Sequence, residues 1–227
     1  MTRIAVHGAK GRMGQRILAL AEESKQFEIA GRFDSGDAPA LFGNGVLIDF
    51  SSPEGSRIAL EACIKAKWGL VVGTTGLDAQ AANTLEDAAQ QIPIVFSSNM
   101  SVGVNLVAQL LEHASKKLPD FKIKMTEAHH VHKKDAPSGT ALMLQRVIAY
   151  AKGWDKTRAA KEIPIDVKRE GEIVGDHTVL FTGPAETIEI THRAQSRDTF
   201  ARGALQAARF AAEAKPGRLY SMADVLA

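Results

Sequence analysis

Arg3-Ile-Ala-Val-His7-Gly8-Ala-Lys-Gly11-Arg-Met-Gly14 decides the fold of this chain: a short apolar strand runs into a glycine turn, and helical spacing follows from Gln15 to Lys25. A bound dinucleotide requires strand, glycine turn and helix in that order. The glycines let the backbone come close to a pyrophosphate, and the helix N-terminus supplies N–H donors and a positive dipole end. The spacing, GxxGxxG, is a variant of the usual fingerprint and by itself also suits a tightly packed turn. The next strand, Glu28 to Phe33, ends at Asp34, 20 residues beyond Gly14. An acidic residue at that distance is placed to take the adenosine ribose hydroxyls. No arginine follows Asp34, which favours NADH over NADPH on charge, although Arg32 precedes it.

Outward from this start, strand and helix patterns alternate. Val46 to Phe50 precedes a helix over about Glu54 to Lys67, Leu70 to Val72 precedes Asp78 to Gln91, and Ile94 to Phe96 precedes Val102 to Lys117. Near-continuous apolar strands separated by amphipathic helices predict a parallel sheet covered on both faces, with ligands at the carboxyl ends of the strands. Those ends carry Ser51-Ser-Pro53, Gly73-Thr-Thr-Gly76 and Ser97-Ser-Asn-Met-Ser101. Each loop also reads as a plain connection with a helix cap. Three beside a glycine turn predict a cleft.

The 227 residues can bury a real core and hold one large or two modest domains. Lys and Arg number 28 against 26 acidic residues, so a net charge of +2 offers no general field for nucleic acid or an anionic membrane surface. No apolar run approaches the roughly 20 residues of a membrane span. The single Cys63 excludes an intrachain disulfide, and a helix face with Ala59, Leu60 and Ala66 assigns it to the core. The expected setting is soluble, reducing and cytoplasmic.

After residue 120 the periodicity changes. Lys122 to Glu127, Ile163 to Lys168, His177 to Phe181 and Thr187 to His192 alternate polar with apolar residues, as strands covered on one face do. They predict an open sheet with a helix from Ala141 to Ala151 packed on it and a helix-free face as a candidate subunit interface. A strong helix from Asp198 to Glu213 follows, and Leu219 to Leu226 closes the chain against the first domain.

Glu127-Ala-His-His-Val-His-Lys-Lys-Asp-Ala-Pro-Ser-Gly-Thr-Ala141 packs three imidazoles and two ammoniums into fifteen residues. Adjacent cations repel, and His and Lys are seldom buried without partners, so His129, His130, His132, Lys133 and Lys134 together point to a bound anion. Ser138-Gly139-Thr140 stands where a helix begins, and its free backbone N–H groups suit a carboxylate or phosphate. The segment predicts a receptor for a small, multiply charged acid. One alternative makes His129, His130 and His132 zinc ligands. On a strand, however, His130 and His132 share a face and His129 points away, so no metal is expected. Another alternative, a non-catalytic dinucleotide sensor, has no need of Lys133.

This segment resembles the signature of the 4-hydroxy-tetrahydrodipicolinate reductase (dihydrodipicolinate reductase) family. The resemblance extends to Gly8–Gly14, Gly73–Gly76, Ser98-Asn-Met-Ser-Val-Gly-Val-Asn105, Arg169-Glu-Gly-Glu-Ile-Val-Gly-Asp-His177 and Glu189-Ile-Thr-His192 through Phe200. It implies an NADH- or NADPH-dependent reduction of a cyclic dicarboxylate in lysine and diaminopimelate biosynthesis. It implies further that Gly8, Ala9, Lys10, Gly11, Arg12 and Met13 hold the pyrophosphate, Asp34 the adenosine ribose, and Gly73, Thr74, Thr75, Ser97, Ser98, Asn99 and Met100 the nicotinamide half. His129 matches the acid/base histidine, Lys133 the proton donor, His130 a substrate contact, and Ser138, Gly139 and Thr140 the carboxylate-binding turn. Arg169 and His177 fall in a pattern of the family that orders the substrate loop.

The expected fold is α/β, a Rossmann-type dinucleotide-binding domain over residues 1–100 completed by 197–227, plus an α+β substrate-binding and oligomerisation domain with an open mixed sheet over 101–196. A homotetramer is the family expectation, with a small-molecule dicarboxylate as substrate and no nucleic-acid or membrane partner. One departure stands out. Between Asp34 and Val46 the chain is shorter than the family pattern, which leaves Phe33 as a competing alignment for the ribose position.

Overall fold

A computed structural model describes the whole chain, Met1–Ala227, and the chain divides into two compact units, residues 1–102 with 198–227 and residues 103–197. The first unit begins with β1 (Thr2–His7), α1 (Arg12–Ser24), β2 (Phe27–Phe33), β3 (Val46–Asp49), α2 (Pro53–Ala66), β4 (Gly69–Val72), α3 (Ala79–Ala88) and β5 (Ile94–Phe96). Helix starts follow local chemistry. Ser52 accepts the N–H of Gly55 and Pro53 sits in the first turn of α2, while Asp78 accepts the N–H of Ala81 at the start of α3. Lys25 and Lys67 close α1 and α2 in the left-handed conformation.

The second unit takes in nearly all of α4 (Val102–Lys117), then β6 (Lys122–His129), α5 (Gly139–Ala151), α6 (Lys156–Glu162), β7 (Ile165–Arg169), β8 (Gly175–Thr182) and β9 (Thr187–Ala194). Its sheet runs β7-β6-β8-β9, parallel between β6 and β7 and antiparallel elsewhere, a mixed open sheet. One face carries Ile123, Met125, Val179 and Phe181 into a core with Val104, Val107 and Leu111 of α4 and Ala141, Leu144 and Ile148 of α5. The opposite face is polar, with a Lys124–Asp166 ion pair at 2.7 Å and a Thr178–Thr191 hydroxyl contact at 3.0 Å.

The chain returns to the first unit with α7 (Asp198–Glu213), β10 (Leu219–Tyr220) and α8 (Met222–Val225). β10 pairs with β5, and the all-parallel sheet reads β10-β5-β4-β3-β1-β2. Alternate residues of each strand go to opposite faces. Ile4, Val6, Ile48 and Val71 join α1 and α7, whereas Ala5, Leu47, Leu70 and Val72 join α2 and α3 around Cys63 and Trp68. That two-sided burial is why these strands read as continuous apolar runs.

Two expectations need revision. β6 continues through His129, and His130 to His132 lie in the following turn, so the strand-face argument about the three histidines does not describe them. The strand survives because His129 remains in register with Arg169 of β7. The α3 helix stops at Ala88 and gives way to a turn, short of Gln91.

Candidate active site

In the first unit the glycine turn is built by steric necessity. Gly8 has φ +80°, and a Cβ there would lie 2.4 Å from the Phe50 carbonyl oxygen, while a Cβ on Gly14 would lie 2.2 Å from the Gly8 carbonyl oxygen. The turn is anchored by Ala9 N–H donating to the Phe33 carbonyl at 2.9 Å. Helix α1 starts at Arg12 behind Gly11, with no side chain capping its first N–H groups. A helix start left without such a cap suits an anionic ligand. Lys10, in the turn, reaches Asp34 at the end of β2, with Nζ 3.0 Å from Oδ2. The hydrogen bond from Lys10 and that of the Ser35 N–H hold the Asp34 carboxyl below its usual range.

Beneath the loops at the strand ends lies a buried polar knot. His7 Nδ1 stands 2.9 Å from Asp49 Oδ1, Thr74 Oγ1 donates to Asp49 Oδ2 at 2.7 Å, and Ser51 and Ser56 also donate to this carboxylate. Thr74 Oγ1 in turn accepts the Ser51 N–H at 2.9 Å. The Thr74 hydroxyl is therefore committed within the protein. Met100 is likewise buried in the core, and Ser97 Oγ bonds the Asn99 carbonyl at 2.7 Å, so this loop is pre-shaped by its own contacts. Gly73, Thr75 and Ser98 lie in the same loops after β4 and β5.

In the second unit one carboxylate organises the His/Lys segment. Glu127 is 1% exposed; its Oε1 accepts the Ser138 N–H at 3.0 Å and Arg169 Nη2 at 3.1 Å. Its Oε2 lies 3.3 Å from His129 Nδ1 and 3.8 Å from His177 Nε2. The His129 and His177 rings meet edge to face at 5.2 Å, and His177 Nε2 is 3.2 Å from Ser138 Oγ. Arg169 also donates to the carbonyls of Asp135 and Lys133, tying down the loop between β6 and α5. Ser138 caps α5 by accepting the Ala141 N–H at 3.2 Å. His130 and His132 rings stand 6.2 Å apart and are outside this cluster.

The charges sort by burial. Burial works to raise the Glu127 carboxyl, but hydrogen bonds from Ser138 and Arg169 outweigh it and hold the group below the usual carboxylate range. Burial pushes His129 below an ordinary imidazole against the pull of Glu127, and burial together with His129 pushes His177 down to about 4. Near neutrality the cluster thus contains two neutral imidazoles beside a Glu127–Arg169 ion pair. Lys133 Nζ pairs with Asp135 Oδ1 at 2.8 Å, and this partner holds the Asp135 carboxyl below its usual range. Gly139 and Thr140 open α5, and Asp135 stands in the loop just before them.

Residues 2–100 match the family model for dihydrodipicolinate reductase, N-terminus, and residues 103–226 match that for dihydrodipicolinate reductase, C-terminus. The chain belongs to the dihydrodipicolinate reductase family. A 4-hydroxy-tetrahydrodipicolinate reductase of Nitrosomonas eutropha is 41% identical, covering 100% of this chain and 98% of the relative. One of Caldanaerobacter subterraneus subsp. tengcongensis is also 41% identical, with the same coverage. The Nitrosomonas alignment spans 264 positions against 227 residues here, so that relative has residues without a counterpart in this chain. Among solved structures, a dipicolinate-bound dihydrodipicolinate reductase from Paenisporosarcina sp. TG-14 superposes with a TM-score of 0.82 over 97% of each chain. At 22% identity that likeness speaks for the fold alone.

Within the dihydrodipicolinate reductase signature, sequence reasoning passed over Glu127 as an ordinary strand residue. The signal was available. Alternation along β6 puts Ile123, Met125, Glu127 and His129 on the covered face, and a carboxylate there needs buried partners.

Proposed function

We propose that this chain reduces 4-hydroxy-tetrahydrodipicolinate to tetrahydrodipicolinate with NADH or NADPH, in diaminopimelate and lysine biosynthesis. Overall one hydride and one proton enter the ring system and one water leaves. The nicotinamide cofactor supplies the hydride. The glycine turn Gly8–Met13 and the uncapped start of α1 suit its pyrophosphate, and Asp34 suits the adenosine ribose; a Cβ at Gly8 or Gly14 would destroy the cradle. Gly73, Thr74, Thr75, Ser97, Ser98, Asn99 and Met100 form the loops for the nicotinamide half, largely through backbone groups, since Thr74 and Met100 turn their side chains inward.

On the substrate side, His130 and the first turn of α5 (Ser138, Gly139, Thr140) hold the carboxylates. Lys133 is the proton donor to the ring position left electron-rich by reduction, and His129 is the acid/base imidazole beside it. The observation that carries this reading is that Glu127 and Arg169 bind the His129 strand end, the Lys133 loop and the α5 N-terminus into one hydrogen-bonded unit. A homotetramer built on the helix-free sheet face and a cytoplasmic setting complete the proposal. Supplying the cyclic condensation product of pyruvate and aspartate semialdehyde should cause loss of NADH or NADPH absorbance. Absence of that loss with both coenzymes would refute it.

A further inference from the structure

Glu127, His129 and His177 place one carboxylate oxygen and two ring nitrogens within 4.8 Å of one another, all three residues buried. A divalent cation is one reading of such a trio. Here, however, Oε1 of the same carboxylate already receives a guanidinium N–H and a backbone N–H, and His177 Nε2 faces the Ser138 hydroxyl. A cation would be set beside Arg169 and would strip His177 of its partner. The alternative needs no added atom. Glu127 Oε2 and His129 Nδ1 are both buried with no hydrogen bond made, and they lie 3.3 Å apart, with His177 Nε2 farther from the same oxygen at 3.8 Å. An ionised carboxylate only accepts, so the ring nitrogen that faces it at this distance, Nδ1, is the one that gains by carrying the proton.

We propose that Glu127 is the positioning residue of the site: through Oε2 it fixes His129 as the Nδ1–H tautomer, and through Oε1 it locks the α5 turn and Arg169 to the same carboxylate. The inference rests on the proposed role of His129 as the acid/base group. The opposite edge of the ring then carries a bare Nε2 able to take or relay a proton. Room for that edge is made by β8, where a Cβ on Gly175 would come within 3.0 Å of His129 Nε2. The charged groups bearing on His129 are Glu127 and Asp135, which favour its protonation, and Lys133 and Arg169, which oppose it; His177 faces it edge to face. A single carboxylate thus sets both the proton state of the imidazole and the geometry of the carboxylate-binding turn. This is the arrangement by which an acid orients a catalytic histidine elsewhere in enzymes.

The test begins on the wild-type protein with the imidazole nitrogens followed by 15N NMR, the His129 signals being assigned by their loss in His129→Gln. His129 should carry its proton on Nδ1 at neutral pH; an Nε2–H tautomer overturns the proposal. In Glu127→Gln, whose amide oxygen can still accept from Ser138 and Arg169, kcat should fall at least ~10-fold with KM for the dicarboxylate changed less than ~2-fold. The limb of the pH–rate profile belonging to His129 should move to lower pH, and Glu127→Asp should recover part of kcat. A purely structural carboxylate would lower the melting temperature and leave tautomer, pH profile and kcat alone, which contradicts the inference. Should the wild type oxidise neither coenzyme, the proposed reaction fails, whereas the tautomer measurement still decides the role of Glu127.

Discussion

Lys10 Nζ rests 3.0 Å from Asp34 Oδ2, so the cation of the glycine turn and the carboxylate proposed for the ribose neutralise each other. A 2′-phosphate would meet the carboxylate at a cost and the ammonium at a gain. Asp34→Ala is therefore expected to raise the NADPH to NADH ratio of kcat/KM about 10-fold, and Lys10→Ala to lower it. Steady-state kinetics with both coenzymes check this. An unchanged ratio in both variants would return the ribose position to Phe33.

In the second unit, His129→Ala should act on turnover, with kcat lower by about 10²-fold and KM little altered. Thr140→Val should act in the other direction and raise KM for the dicarboxylate by about 10-fold with a smaller effect on kcat, because it disturbs the first turn of α5. Initial-rate measurements over a substrate series separate the two patterns.

Acid should destabilise the fold through His177. Unfolded, its imidazole takes a proton near 6.5; folded, burial and His129 delay this to about 4. Between those values the unfolded state binds more protons, so stability present above about pH 6.5 is lost as pH falls toward 4, at about 1.4 kcal/mol per unit while the window is open. Urea unfolding across that range should show the decline, and His177→Asn should flatten it. A slope identical in the variant would exclude His177 as its source.

The Asp49 knot predicts a different kind of loss. His7 and Asp49 have no exposure, and removing the carboxylate strands one imidazole N–H and three hydroxyls. Asp49→Ala is expected to cost about 3 to 5 kcal/mol. At this chain length the thermal midpoint should fall by about 10 °C. Calorimetry measures it, and a drop of only a degree or two would mean that water substitutes for the carboxylate.

The parallel sheet was legible because burial on both faces forces β1, β3, β4 and β5 to be apolar throughout, a pattern that local sequence shows directly. The start of α5 was legible too, since Ser138 announces its cap. Less visible were elements whose reason is remote. α6, Lys156–Glu162, has an Asp155 cap but only Ala159 buried, too weak a stripe to read. The Glu127 hub joins residues 11 and 42 positions apart, and such a network appears only when β6, β7 and β8 are laid side by side. The fate of the turn's first donor was hidden for a related reason: the Ser138 N–H was evident, and the buried Glu127 carboxylate that accepts it was not.

The central claim is that hydride passes to a ring dicarboxylate held by the His129–Thr140 segment. Reduction of the heterocycle with coenzyme deuterated at the transferring position, followed by mass and NMR analysis of the product, tests it most directly. The account predicts one deuterium per tetrahydrodipicolinate, bound to ring carbon, and severe loss of the labelled product in Lys133→Ala. Coenzyme left unoxidised by the wild type, or a product without the label, would contradict it.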